Sequence, residues 1–243
     1  MRAVKLKGII NYFEENNLKK LKVTGRTKVK RLPKRAFYDV DTIYKILDDT
    51  FICQVGFELE GQVYIIPVNF GRKDDQIFIH GSKKSRMFKL FDSGKEVCIS
   101  VSLVDGIVLA RSAFHHSVNY RSVVIFAEPV EIEDEVEKIE ALKTIFEHIM
   151  PGRWEDVRKP NKKELEITSV FSFKINEASA KIRTGPAIDD QEDLNLNVWA
   201  GVVPINIIAG EPLKNDDLIA GISLPDYLKT YKRKKGKSVY QKI

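Results

Sequence analysis

The feature that most restricts how this chain can fold is a long succession of short runs rich in β-branched and aromatic residues, broken by turn chemistry. FICQVGFEL, QVYIIPVNF and QIFIH follow one another, separated by Glu60-Gly61 and by Gly71-Arg72-Lys73-Asp74-Asp75. This spacing predicts a three-stranded meander. Pro67 cannot donate to a sheet ladder, so its run is expected at an edge or a bulge. EVCISVSLV, GIVLARSAF and NYRSVVIFAEPVEI continue the pattern, and ITSVFSFKI and AGVVPINII close it around a polar connection that contains KIRTGP and Asp189-Asp190. So many strands, with no regular strand–helix alternation, predict a mostly antiparallel barrel with helices packed outside.

Three segments carry a helical period instead. Asp41 stands as a candidate N-cap before TIYKILDD, where Ile43, Ile46 and Leu47 share a face. Residues 83–93 place Met87, Leu90 and Phe91 at helical spacing and stop at Gly94. EDEVEKIEALKTIFEHIM sets Val136, Ile139, Leu142, Ile145, Phe146 and Ile149 on one stripe and ends before Pro151-Gly152, with Trp154 as a cap beyond it.

The 243 residues are enough for one well-packed core, and 43% hydrophobic with 30% charged residues is ordinary for a globular chain. The formal charge of +6 is unevenly spread: residues 19–35 carry nine Lys or Arg and residues 229–243 carry seven, with no acid in either, so the body between them is acidic. Such basic ends can meet phosphate backbones or anionic membrane surfaces, or can simply be solvated tails. Cys53 and Cys98 lie in apolar runs without metal-ligand spacing, which suits buried thiols in a reducing compartment. No run of about 18 apolar residues is present to span a membrane, and the first residues lack a continuous apolar stretch, so the expected location is cytoplasmic.

Two polar segments interrupt the apolar pattern. His80-Gly81-Ser82-Lys83-Lys84-Ser85-Arg86 falls between an expected strand and the first turn of an expected helix, where free backbone N–H groups, hydroxyls and cations suit a phosphate. An ordinary helix cap with a solvated basic first turn is the alternative. Neither G-x-x-x-x-G-K-[ST] nor G-x-G-x-x-G occurs, which disfavours nucleotide hydrolysis and a Rossmann cofactor site. The second segment, Arg111 to Ser122, is a polar cluster enclosed by apolar strands. Its groups need partners, either a bound anion or hydrogen bonds within the loop. His115 and His116 are adjacent and point apart on extended chain, which argues against a shared metal. Trp199 can be core or can lie against a flat ligand.

In order along roughly residues 26–210, AFYDVDTIYKILDD, VGF, IIPVNF, HGSKKSRM, IVLARSAFHHSVNYRSV, PGRW, EASAKIRTGP and VWAGVVPI resemble the pyridoxamine 5′-phosphate oxidase-like flavoproteins. Within them the series is most similar to the flavin-nucleotide-binding branch that includes nitroimidazole reductase-like proteins. The resemblance implies a mostly β fold, an FMN-binding split β-barrel with peripheral helices over residues 26–210, preceded by an extension (1–25) and followed by a basic tail (211–243). It also implies a two-fold homodimer with FMN between subunits. Matched position by position, Pro67, Val68, Asn69 and Phe70 would border the isoalloxazine, and Gly81, Ser85 and Arg86 would hold the phosphate. His80, Ser82, Lys84, Ser117, Asn119, Arg121 and Trp199 complete the expected cofactor contacts.

One departure matters. Where the vitamin-forming oxidases carry a basic residue after Ser-Arg and an arginine at the start of the second strand, this chain has Met87 and hydrophobic or aromatic residues, so that activity is not expected. Lys84 or Arg121 would supply the missing charge. The expected function is FMN-dependent oxidation or reduction of a small organic molecule, with His80 either assisting proton transfer or only hydrogen-bonding the cofactor or the loop. The alternative is a non-catalytic flavin-binding module whose basic ends contact nucleic acid.

Overall fold

The computed structural model describes residues 19–231, and the extreme basic residues at 232–243 lie outside them. Eleven strands are present among the described residues, all paired antiparallel: β1 (Ala36–Phe37), β2 (Ile52–Leu59), β3 (Gln62–Asn69), β4 (Gly71–Lys73), β5 (Gln76–Ser82), β6 (Val97–Leu109), β7 (Ser117–Ala127), β8 (Pro129–Glu131), β9 (Thr168–Lys174), β10 (Glu177–Arg183) and β11 (Gly201–Pro204). They form a large sheet in the order β1-β10-β7-β6-β2-β3, with β11 also on β6, and a small sheet β4-β5-β9-β8. With the helices outside, this is the mostly β split barrel expected.

The helices are α1 (Val40–Asp48), α2 (Arg86–Phe91), α3 (Glu135–Ile149), α4 (Arg153–Asp156), α5 (Lys162–Ile167) and α6 (Asp226–Lys229). The cap of α1 is Asp39, whose carboxylate accepts from Thr42 N at 2.9 Å, and not Asp41, which falls in the first turn. Its Ile43, Ile46 and Leu47 are buried as the period predicts. The barrel core beneath holds an aromatic cluster in which Phe91 meets Phe88, Phe171 and Phe173 at centroid distances of 5.2–5.3 Å. Each such side chain contributes about 1.5–3 kcal/mol by leaving water.

Four expectations about elements need correction. The first three apolar runs do not make one meander. The β2–β3 hairpin forms through Glu60 and Gly61, both at positive φ, and β3 is an edge strand as Pro67 requires, but β5 pairs with β4 and β9 in the other sheet. The crossing point is Gly71, where a Cβ would stand 2.6 Å from the Ile145 Cα of α3. EVCISVSLV and GIVLARSAF are largely one strand, β6, because Asp105 is absorbed as a bulge rather than a turn. The polar connection before AGVVPINII contains a full strand, β10. In α3 the buried face is Lys138, Ala141, Leu142 and Ile145, whereas Val136 is exposed and Phe146 leaves the core to meet the buried Trp154 ring edge-on at 5.4 Å.

Both flanks of the body pack more than basic tails would. Leu21 N donates to Tyr38 O, Thr27 is buried, and Arg26 reaches Glu96 and Glu177 together. At the other end, α6 folds back on α3: the Tyr231 hydroxyl donates to Ile149 O at 3.0 Å and Arg153 donates to the Tyr227 hydroxyl at 2.9 Å. The two tyrosines help line a cleft of about 630 Å³ beside Arg72, Glu147 and His148.

Candidate functional site

The basic turn is built by β5 ending against α2. Ser85 N donates to Ser82 O at 3.0 Å and Lys84 N to the Ser82 hydroxyl at 3.3 Å, which folds the chain into the helix. Because α2 buries Met87, Phe88, Leu90 and Phe91, Arg86 is left on its outer side, and Ser85 makes no side-chain cap bond. Gly81 fits closely here: a Cβ would lie 2.5 Å from the Phe88 ring that covers it. The Arg86 guanidinium lies 4.8 Å over the ring of Tyr64 on β3, and its Nη1 is 3.5 Å from the Tyr64 hydroxyl. The turn and β3, separated in sequence, are thereby held together. Nothing in the local spacing singled out Tyr64.

Around this contact the expected residues divide by strand alternation. On β3, Tyr64 pairs with Phe57 and stacks on it at 5.4 Å, so Tyr64, Ile66 and Val68 face the barrel. Val63, Ile65, Pro67 and Asn69 therefore face outward, with Val63 and Ile65 at 65% and 70% exposure. The Phe70 side chain is fully buried against His148 at 5.0 Å, so only its backbone is left to meet a ligand on the outer face. His80 lies opposite Val170, on the face of the small sheet turned away from the buried Ile77 and Ile79. Its Nδ1 is buried without a hydrogen-bond partner among the described residues, and burial lowers the pKa of the ring. Ser82 and Lys84 are exposed.

The second polar segment belongs to the large sheet and is satisfied mainly from within the chain. Arg111 binds Asp189 through its backbone N and its guanidinium, both at 2.7 Å, and holds that carboxyl below the usual carboxylate range. His115 Nε2 lies 3.0 Å from Asp190, which raises the imidazole pKa. Buried Asn119 donates to Gly185 O at 3.0 Å and accepts from Arg183. Arg121 is held by Asp105, the bulge residue, and by Asp49 at the end of α1. Asn119 and Arg121 thus work inside the fold, and Arg121 is not brought to the basic turn. Ser117 opens β7 opposite Val108. Trp199 is not core: it is 65% exposed and its ring covers Gly201. The acids Asp49, Asp105, Asp189 and Asp190 were not expected at this cluster as partners. Among the described residues, no group of three or more His, Cys, Asp or Glu gathers as a metal site, and no helix is long and apolar enough to cross a membrane.

The model of the family described as pyridoxamine 5′-phosphate oxidase matches residues 39–182, which hold β2 to β9, the basic turn and most of β10. The chain belongs to the pyridoxamine 5′-phosphate oxidase family. Solved structures agree with this family assignment. The flavocytochrome Anf3 from Azotobacter vinelandii is 38% identical over 86% of this chain and 97% of that one, with a TM-score of 0.81. The FAD and heme binding protein from Mycobacterium smegmatis is 30% identical over 82% and 97%, with a TM-score of 0.78. A candidate 5-nitroimidazole antibiotic resistance protein from Bacteroides thetaiotaomicron is 25% identical over 60% and 86%, with a TM-score of 0.52. No curated protein matches the sequence.

Proposed function

We propose that the chain binds a flavin at the basic turn and acts as an oxidoreductase on a small organic or quinone-like acceptor. The observation that carries this is the state of the cations. Lys83, Lys84 and Arg86 have no carboxylate partner among the described residues, as is true of exposed cations elsewhere such as Arg31 and Lys163. Among the described residues, only on this turn do three of them stand beside serine hydroxyls at a strand–helix junction. Three unneutralised cations on one turn, beside the Ser82 and Ser85 hydroxyls, form a donor set suited to a phosphate. A bound flavin would supply the hydride or electron transfer, while the protein orients it and excludes water. The outward apolar residues of β3, Val63 and Ile65, would cover the ring or a second subunit in a two-fold homodimer.

The expected FMN shares its isoalloxazine and phosphate with the flavin half of FAD, and the same turn serves either. The description of the Mycobacterium smegmatis relative favours FAD. It also favours haem as a second redox group, as does the word flavocytochrome for the Azotobacter relative. The test is the absorbance spectrum of the purified protein, followed by mass identification of the released flavin and by reoxidation of the reduced protein with quinone or nitroaromatic acceptors. FAD and steady turnover are expected. FMN alone would restore the mononucleotide, tight flavin without turnover would favour a non-catalytic module, and a chain that takes up no flavin would overturn the proposal.

A further inference from the structure

We propose that His116, through its Nε2, is the axial ligand of a haem seated on the 111–118 segment. This rests on the haem reading above and adds the residue, which no sequence motif assigns.

The chain has four histidines, and their hydrogen bonds separate them. His148 is turned inward, with Nε2 2.7 Å from Thr50 O and its ring on buried Phe70. His80 is half-buried on β5, its Nδ1 enclosed, beside the basic turn already proposed for the flavin. His115 has its Nε2 on the Asp190 carboxylate at 3.0 Å, an arrangement that favours the protonated ring and occupies that nitrogen. His116 differs from all three. It is exposed, and its Nδ1 lies 2.9 Å from Ser112 O. A carbonyl oxygen only accepts, so Nδ1 carries a proton, and in the neutral ring the lone pair then lies on Nε2. Metal-bound imidazoles are commonly fixed in the same way, one nitrogen donating to a backbone carbonyl while the other faces the metal.

The surroundings suit a flat apolar group. Phe114, on the same short turn, is 89% exposed, and its ring stands edge-on to His115 at 5.2 Å. Val118 is exposed two residues beyond His116, and Ile188 is exposed beside Asp189, which Arg111 clamps to this segment. Among the described residues nothing covers these side chains.

Hemin titrated into the purified full chain tests the assignment by its Soret band. The wild-type chain and H115A are expected to bind hemin alike. H116A is expected to bind at least tenfold more weakly, with binding restored by added imidazole. Because His116 is exposed and bonded only to its own loop, thermal melting of H116A should match the wild type. H116M, which offers a thioether in place of the imidazole, should keep haem but shift its spectrum and raise its reduction potential. If H116A and H116M both give wild-type spectra and affinity, the assignment is overturned while the haem reading stands. If the wild-type chain takes up no hemin, the haem reading fails and the ligand with it.

Discussion

Arg111 grips Asp189 twice, its backbone N–H donating to one carboxylate oxygen and its guanidinium to the other, both at 2.7 Å. The Asp189 side chain is almost completely enclosed, so this contact ties the loop after β10 to the segment that carries both adjacent histidines. Replacing Asp189 by Asn should lower the melting temperature at pH 7. The depressed pKa means that the stabilisation is present above the unfolded value, about 4 for a carboxylate, and is lost as pH falls through the folded value. The difference in melting temperature between wild type and D189N should therefore shrink below about pH 4. A difference that stays constant down to pH 3 would contradict the account.

Arg86→Ala should weaken flavin binding by about 1.5–3 kcal/mol, the range for hydrogen bonds to charged groups, and leave the melting temperature of the flavin-free chain nearly unchanged. Titration followed by fluorescence quenching reads the first, and calorimetry the second. An unaltered dissociation constant would remove Arg86 from the phosphate contacts.

Two glycines should respond differently to alanine. At Gly81 the obstacle is the Phe88 ring, a side chain that can shift at a cost of about 1–3 kcal/mol. At Gly71 the obstacle is the backbone of α3 at Ile145, which cannot give way without moving the helix. Urea unfolding should show G71A to be the more destabilised, and F88L should relieve G81A in the double variant.

His80→Leu tests whether the unpartnered Nδ1 has a structural use. Burial lowers the pKa of this ring, so the unfolded chain takes up the proton more readily, and stability falls as pH drops below about 6.5. His148 is shifted in the same direction and shares the effect. The flavin-free H80L chain should melt no lower than wild type at pH 7 and should lose less stability between pH 7 and pH 5. A large loss at pH 7 would show that His80 is needed by the fold itself.

A pair of truncations separates the tail from its anchor. Removing 232–243 should leave melting unchanged while reducing any salt-sensitive binding to polyanions. Removing 226–243 also deletes Tyr227 and Tyr231, and should lower the melting temperature. Equal effects would mean that α6 contributes nothing to the fold.

Much of the barrel was legible because its strands alternate strongly: Cys53, Val55 and Phe57 face inward just as their spacing indicates. The strand that escaped, β10, buries Ala178 and Ala180, whose small side chains carry little β signal even though they fit closely in the core. The bulge at Asp105 was hidden for a related reason, since Asp-Gly looks like a turn until a long-range partner, Arg121, claims the carboxylate. At the site, the basic turn could be read locally because its three cations fall within four residues. Its contact with Tyr64 could not, nor could the pairing of Arg111 with Asp189. Such contacts depend on which strands become neighbours, and no local period encodes that.

The pairing of β1 with β10 has a bearing on how the protein comes into being. Among the described residues β1 lies on the edge of the large sheet, and its strand neighbour there, β10, comes far later in the chain. Arg26, just upstream, likewise waits for Glu177. During synthesis β1 and Arg26 therefore cannot reach these partners until β10 has left the ribosome. With loop closure over so long a stretch, that docking is entropically slow, and a nascent chain halted before β10 would present an open sheet edge to its surroundings.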